Sequence, residues 1–350
     1  MISASHNAYA DNGIKIFAAD GFKLPDDRED EIARLLDSAE LDKHRPVGDK
    51  IGTARRIDDA VGRYIEFVKA SLPKGMRLDG LRVVVDCSNG AAYKVGPDTL
   101  RELGAEVIAI GDRPNGLNIN HQVGSVFSEN MRATVIKERA DVGIAFDGDG
   151  DRIAMADEHG RLLDGNALLA ILALERLEQG DLPHNTIATT IMANAGLQRA
   201  IEPLGGKVVL TKVGDRHVVE AMREQGLVIG GEPSGHMVFL EHNTTGDATI
   251  AALQVLATVI RRDQPLSRIG QVYQPVPECH RKLPLNGQDR PASEALTALA
   301  EEAEMALNGA GRVVIRASGT EPIIRVMVQH EEVRRAESLA EELLAKVKAL

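Results

Sequence analysis

Asp147, Asp149 and Asp151 alternate with Gly148 and Gly150 and are followed by Arg152, so three carboxylates on a glycine-loosened turn can converge on one hard cation. Oxygen-only ligands favour Mg²⁺, Mn²⁺ or Ca²⁺ over zinc, and Mg²⁺ leaves positions for water or phosphate oxygens. The apolar runs 142–146 before the turn and 153–156 after it predict a loop leaving a buried strand, where a metal reads as catalytic. Two other readings fit the same residues. Asp147, Asp149, Asp151 and Glu158 fall at positions one, three, five and twelve of a calcium loop, but Arg152 holds the sixth position, where that loop needs glycine. A solvated acidic turn is the other.

Three further segments offer polar groups at close spacing. Arg316-Ala317-Ser318-Gly319-Thr320-Glu321-Pro322, with Arg325 beyond, brings guanidinium, hydroxyls and a flexible backbone into one turn between strands. Arginine grips phosphate bidentately, and hydroxyls and N–H groups fill its remaining acceptors, although a plain Ser-Gly turn has the same composition. Glu232, Ser234 and His236 alternate and suit the hydroxyls of a sugar; a turn with a capping serine reads equally well. Lys212 and Arg216 would contact phosphate or solvate a helix start. Ser5 is the candidate nucleophile. It lacks the Gly-x-Ser-x-Gly elbow of a hydrolase, but a serine that carries a phosphoryl group needs only a divalent cation nearby.

The elements that must position these loops read as α/β. With 350 residues, 43% hydrophobic and 27% charged, the chain is long enough for several domains. Its net charge of −11 opposes non-specific binding to nucleic acid or anionic membrane, so an anionic substrate needs a local basic cluster, and a small ligand is expected. The longest apolar run, 167–174, is too short to span a bilayer and the N-terminal residues show neither a basic n-region nor an apolar h-region, which predicts a cytoplasmic protein without nucleic-acid or membrane partners. Cys87 and Cys279 are expected to be core residues.

A βαβ pattern occurs twice. Val83–Val85, Leu103–Ile108 and Ile144–Phe146 predict strands of the first copy, the third delivering the acidic loop. Ala188–Ile191, Leu204–Val209 and Leu227–Ile229 predict those of the second, the third delivering Gly231–His236. Matching turns between matching elements predict two copies of one fold with loops at the strand ends and a shared cleft. The last residues predict a small α+β domain: a helix with Leu296, Leu299, Ala303 and Leu307 inward, two strands around 316–328, and a closing helix burying Val333, Ala336, Ala340, Leu343, Val347 and Leu350. The first 60 residues do not assemble into a complete domain; Ile14, Ile16 and Phe17 alternate like a strand that needs neighbours, and Asp30–Leu36 looks helical. Residues 1–25 are expected to fold poorly for want of strand partners.

Ser3-Ala4-Ser5-His6-Asn7, Asp147–Arg152, Gly231-Glu232-Pro233-Ser234-Gly235-His236 and Arg316–Pro322, in this order, resemble the phosphoserine, metal, sugar and phosphate loops of the α-D-phosphohexomutases. Leu117–Asn120, Asn243–Asp247 and Ile323–Val328 look like the phosphoglucosamine branch. The resemblance covers nearly the whole chain and implies repeated three-layer α/β/α domains around a central cleft with a C-terminal α+β domain. The boundaries it suggests are 1–56, 57–160, 161–270 and 271–350. It departs at Ala8, at Val126-Phe127-Ser128, and before Ser5, where members carry most of a further α/β domain; a member truncated there is the expectation.

Residue by residue, the resemblance makes Ser5 the phosphoserine and a ligand, with Asp147, Asp149 and Asp151, of one Mg²⁺. Arg152 would contact the reacting phosphate, and Lys15 and His236 compete as acid/base candidates. Glu232, Ser234 and Lys212 would hold the substrate, and Arg316, Ser318, Gly319, Thr320 and Arg325 its non-reacting phosphate. The implied activity is interconversion of glucosamine 6-phosphate and glucosamine 1-phosphate through glucosamine 1,6-bisphosphate, in the route to UDP-N-acetylglucosamine and cell-wall precursors. A small hexosamine phosphate is then the partner, with a homodimer left open. Phosphoglucomutase or phosphomannomutase activity, or an inactive sugar-phosphate-binding remnant, are the alternatives.

Overall fold

The computed structural model describes residues 1–285, 290–318 and 321–350. It divides into two compact units, Met1–Asp164 with Ser234–Ile269, and Gly165–Pro233 with Gly270–Leu350.

The chain opens on β1 (Ile2–Ser3) and β2 (Gly13–Ile14), which pair antiparallel with each other and form their own small sheet. The expected strand through Phe17 is thus two residues long. Helices α1 (Asp26–Leu36), α2 (Glu40–Lys43) and α3 (Ala60–Lys69) follow. Then come β3 (Arg82–Asp86), α4 (Val95–Glu102), β4 (Glu106–Ile110), α5 (Glu129–Glu138), β5 (Val142–Phe146), β6 (Ile153–Asp157) and β7 (Leu162–Leu163). They form one sheet of order β4-β3-β5-β6-β7, parallel through β5 and antiparallel beyond it. All of β5 and nearly all of β3 are buried, which is why they read as unbroken apolar runs rather than as alternation. Met131 and Val135 of α5 pack against Val84 and Ala145.

The next stretch repeats the winding. Helix α6 (Gly165–Gln179) precedes β8 (Thr186–Thr190), α7 (Ala195–Ile201), β9 (Lys207–Thr211), α8 (Asp215–Gln225) and β10 (Ile229–Gly231). Strand β8 lies between β9 and β10, parallel to both, as β3 lies between β4 and β5. The apolar run 167–174 is buried inside α6, a helix hydrophobic on every side.

Strand β11 (Met237–Phe239), α9 (Ala248–Arg262) and α10 (Leu266–Ile269) return to the first unit. In the second, β12 (Glu278–Pro284), α11 (Ser293–Ala306), β13 (Gly311–Ala317), β14 (Ile323–His330) and α12 (Val333–Lys348) complete the α+β element. Its antiparallel sheet has the order β12-β14-β13. Helices α11 and α12 close one core over it through Leu296, Ala300, Leu339 and Leu343. The inward stripe of α12 is shorter than the periodicity predicts, because Val333 and Leu350 lie at its frayed ends and are exposed. Leu299 is only partly buried. Cys87 and Cys279 are buried free thiols. Among the described residues no helix is long and apolar enough to cross a membrane.

Candidate active site

Strand β5 is followed by Asp147, whose Oδ1 accepts the backbone N–H groups of Gly150, Asp151 and Arg152, each at 3.1 Å. One carboxylate oxygen therefore folds the turn. The other, Asp147 Oδ2, is buried without a hydrogen-bond partner among the described residues, as are Asp149 Oδ1 and Asp151 Oδ1. The three side chains offer ligand atoms within 4.8 Å of one another. Buried, unpaired carboxylate oxygens are costly unless a cation neutralises them, and an all-oxygen donor set suits Mg²⁺. The residues present fit that ion.

The opposite oxygens are occupied. Lys15 Nζ donates to Asp149 Oδ2 at 2.6 Å and to Asp151 Oδ2 at 3.2 Å, and His236 Nδ1 lies 3.6 Å from Asp151 Oδ2. Burial, then the charges of Asp151 and Asp149, push the Asp147 carboxyl up to about 7. Burial also works to raise Asp151, but its hydrogen bond to His236 and the charges of His236, Lys15 and Arg152 outweigh it and hold that carboxyl far below the usual range. Burial alone would lower the Lys15 pKa; the hydrogen bond to Asp149 and both carboxylates raise it instead. Lys15 is thus a held ammonium.

Ser5 belongs to the same unit and is seated on the acidic loop. Gly148 N–H donates to the Ser5 carbonyl at 3.1 Å, and the Ser5 N–H donates to Ser3 Oγ, which in turn donates to Asp149 Oδ2. Gly148 has no room for more: an added Cβ would stand 2.5 Å from the Ser5 carbonyl oxygen. Ser5 itself has φ +50°, a left-handed conformation that non-glycine residues seldom adopt and that clusters at functional sites. Its Oγ is 3.2 Å from His6 Nδ1, and Arg152 Nη1 lies 2.8 Å from the same nitrogen. Arginine only donates, so His6 Nδ1 accepts; burial and then Arg152 lower the His6 pKa. Neither Ser3 nor His6 was singled out by residue type, and the only sequence signal for them is their place beside Ser5.

His236 reaches the loop through a β-bridge between Arg152 and His236. Gly235 permits that approach, with φ +88° and space so tight that a Cβ would be 1.9 Å from the Ile153 carbonyl oxygen. The first unit thus gathers Ser5, Lys15, Asp147, Asp149, Asp151, Arg152 and His236, while Ser234 is exposed on it.

The second unit gathers the remaining residues. Glu232, just past β10, accepts the Gly214 N–H at 3.2 Å. Arg316 lies near the end of β13 and Arg325 near the start of β14, and burial, then the charge of Arg325, lower the Arg316 pKa against the pull of Glu232. Both arginines have a buried Nε without a partner among the described residues. Ser318 is buried and its Oγ accepts the Glu321 N–H; Lys212 is exposed. Gly319 and Thr320 lie outside the described residues. Paired guanidinium groups with spare donors suit an anion.

Family models described as phosphoglucomutase/phosphomannomutase match along the chain: alpha/beta/alpha domain I at residues 1–43, domain II at 62–160, domain III at 164–276 and the C-terminal domain at 281–346. The chain belongs to the phosphoglucomutase/phosphomannomutase family. The match at 1–43 corrects the expectation of a member lacking most of its first domain, since domain I of this family is itself matched there. A phosphoglucosamine mutase of Magnetococcus marinus is 51% identical over 97% of the chain and 70% of its own length. One of Sorangium cellulosum is 48% identical over 99% of the chain and 73% of its own length. Among solved structures, a phosphoglucomutase/phosphomannomutase family protein of Burkholderia thailandensis superposes with a TM-score of 0.79 at 21% identity, covering 99% of the chain and 76% of that protein. The N-acetylphosphoglucosamine mutase of Aspergillus fumigatus, solved in complex with GlcNAc-6P and magnesium, does so with 0.75 at 22%, covering 99% and 88%. Both likenesses establish the phosphohexomutase fold.

Proposed function

We propose that this chain is an enzyme that interconverts glucosamine 6-phosphate and glucosamine 1-phosphate by way of a phosphorylated Ser5. The observation that carries the reading is the set of three buried, unpaired carboxylate oxygens beside the clamped Ser5 backbone; relatives named phosphoglucosamine mutase at 48% and 51% identity support the sugar. The four-part division at 1–56, 57–160, 161–270 and 271–350 belongs to the same reading.

Asp147, Asp149, Asp151 and phospho-Ser5 would hold Mg²⁺, whose charge neutralises the phosphoryl group during transfer. In the first half-reaction the bond from phosphorus to Ser5 Oγ breaks and one to the sugar O1 forms, the O1 proton leaving to a base. The resulting glucosamine 1,6-bisphosphate turns over, and its 6-phosphoryl group passes to Ser5 Oγ while the sugar O6 takes a proton. Arg152 steadies the reacting phosphoryl group. His236 and Lys15 are the acid/base candidates; Lys15, held protonated by two carboxylates, offsets their charge and can supply a proton to the departing oxygen. Glu232 and Ser234 receive sugar hydroxyls, and Lys212, Arg316, Ser318, Gly319, Thr320 and Arg325 the phosphate that is not reacting.

Coupled assays on glucosamine, glucose and mannose phosphates with added 1,6-bisphosphate test this. Turnover of glucosamine phosphate should exceed the others and vanish in Ser5→Ala. Preference for glucose or mannose phosphate would replace the sugar assignment; an active Ser5→Ala would overturn the mechanism.

A further inference from the structure

Asn120, in the Leu117–Asn120 segment that the mechanism above leaves without a task, sits where the Ser5 loop meets the sheet. Its side-chain Nδ2 donates twice, to the Ser5 carbonyl at 2.8 Å and to the Asn7 carbonyl at 2.7 Å. Both amide hydrogens are thereby spent on the backbone on either side of His6. Its Oδ1 accepts the Ser88 hydroxyl at 2.8 Å, and its own N–H donates to the Ser88 carbonyl at 2.9 Å.

Ser88 is in turn fixed. It follows β3 with φ +58° and no exposure, and its N–H donates to Asp86 Oδ1, while Gly124 N–H donates to Asp86 Oδ2, both at 2.9 Å. Asp86 is the last residue of β3. A continuous chain of hydrogen bonds therefore runs from the sheet through Asp86, Ser88 and Asn120 to the two carbonyls that flank the reactive segment. The Ser5 carbonyl takes a second bond from Gly148, so Asn120 and the acidic loop hold the same atom.

Main-chain pairing in this region is sparse, since among the described residues β1 and β2 pair only with each other. A two-stranded ribbon is marginal by itself. Two donors from the buried Asn120 side chain, tied through Ser88 to the end of β3, supply the missing constraint, and in-line transfer depends on such placement.

We infer that Asn120 is the positioning residue for the nucleophile: it fixes the Ser5–Asn7 backbone over the aspartate loop so that Ser5 Oγ meets the phosphoryl group. The inference rests on Ser5 being the phosphoryl carrier. It deepens that reading by assigning loop placement to one side chain 115 residues away.

The test is Asn120→Asp in the full chain. Asp tolerates the left-handed backbone found at Asn120, φ +57°, and still accepts from Ser88, but it replaces the two donors with an oxygen facing two carbonyls. We expect kcat, and the rate of Ser5 phosphorylation by glucosamine 1,6-bisphosphate read by intact mass, to fall about 100-fold. The KM for sugar phosphate should stay within about threefold, because the anion-binding arginines are untouched. Mg²⁺ affinity should hold as well.

A kcat within about twofold of the parent, or a loss seen only in KM, overturns the inference. Ser5→Ala, run alongside, separates the two levels: if it retains turnover, the carrier assignment falls, whereas a dead Ser5→Ala with an unimpaired Asn120→Asp removes only the role of Asn120. Should Asn120→Asp not fold, Ser88→Ala replaces it. Loss of the hydroxyl frees the Asn120 amide to turn, and we expect about a tenfold fall in kcat at constant KM; an unchanged kcat overturns the inference.

Discussion

Arg316 and Arg325 are register partners across β13 and β14, so two guanidinium groups stand directly opposite each other. Like charges in that position destabilise a strand pair, and Glu321, bonded to Arg325 Nη2 at 2.5 Å, answers only one of them. An anion between them answers both. Inorganic phosphate should therefore raise the melting temperature. Arg325→Gln should abolish that rise and increase KM for sugar phosphate by about 10-fold to 100-fold, corresponding to loss of a charge-assisted hydrogen bond of about 1.5–3 kcal/mol. An undiminished phosphate shift in the variant would contradict the assignment of this pair.

The Asp147 carboxyl, raised to about 7 in the metal-free protein, makes Mg²⁺ binding compete with a proton. Near pH 6 Asp147 must lose its proton for the metal to bind, and well above pH 7 it has none to lose. Calorimetric titration in buffers of different ionisation enthalpy should find proton release at the lower pH that fades at the higher, with weaker binding at the lower. Without metal, the folded state binds more protons at this site than the unfolded state between about pH 4 and pH 7, so this group lowers stability as pH rises through that window. Asp151, depressed in the folded state, acts in the opposite sense and loses its contribution only as pH falls below about 4.

Gly148→Ala should damage activity out of proportion to its size. The added Cβ would lie 2.5 Å from the Ser5 carbonyl oxygen and 2.6 Å from Asn120 Nδ2. Overpacking of this kind costs about 1–3 kcal/mol, and relief requires the Ser5 loop to move off its seat. A lowered melting temperature together with a fall in kcat is the expected result, checked by calorimetry and the coupled assay.

Tyr64 donates to the Asp247 carboxylate, with its hydroxyl 3.0 Å from both oxygens, and Asp247 caps α9 through the N–H groups of Thr249 and Ile250. Tyr64→Phe removes a buried donor to a charged group and should destabilise the chain by about 1.5–3 kcal/mol in chemical denaturation.

The strands and the loops they deliver were legible because β3, β5 and β8 are buried along most or all of their length and turns containing glycine with asparagine or aspartate follow them. The equal winding of the two α/β copies was legible for the same reason. Asn120, Ser3 and His6 were not. Their work consists of hydrogen bonds between polar loop residues far apart in the chain, and neither period nor composition encodes which amide meets which carbonyl. The Val333 and Leu350 expectation failed for a simpler reason: periodicity assigns a face but does not say where a helix frays.

The backbone at Ser5, left-handed without being glycine, bears on how an inert form of the protein should be made. Alanine keeps the conformational penalty of about 1–2 kcal/mol while deleting the hydroxyl, so loss of function in that form mixes chemistry with any change in loop geometry. Glycine deletes the hydroxyl and relaxes the main chain at once. A pair of silent proteins differing only in that relaxation would report how much energy the fold invests in presenting one oxygen atom.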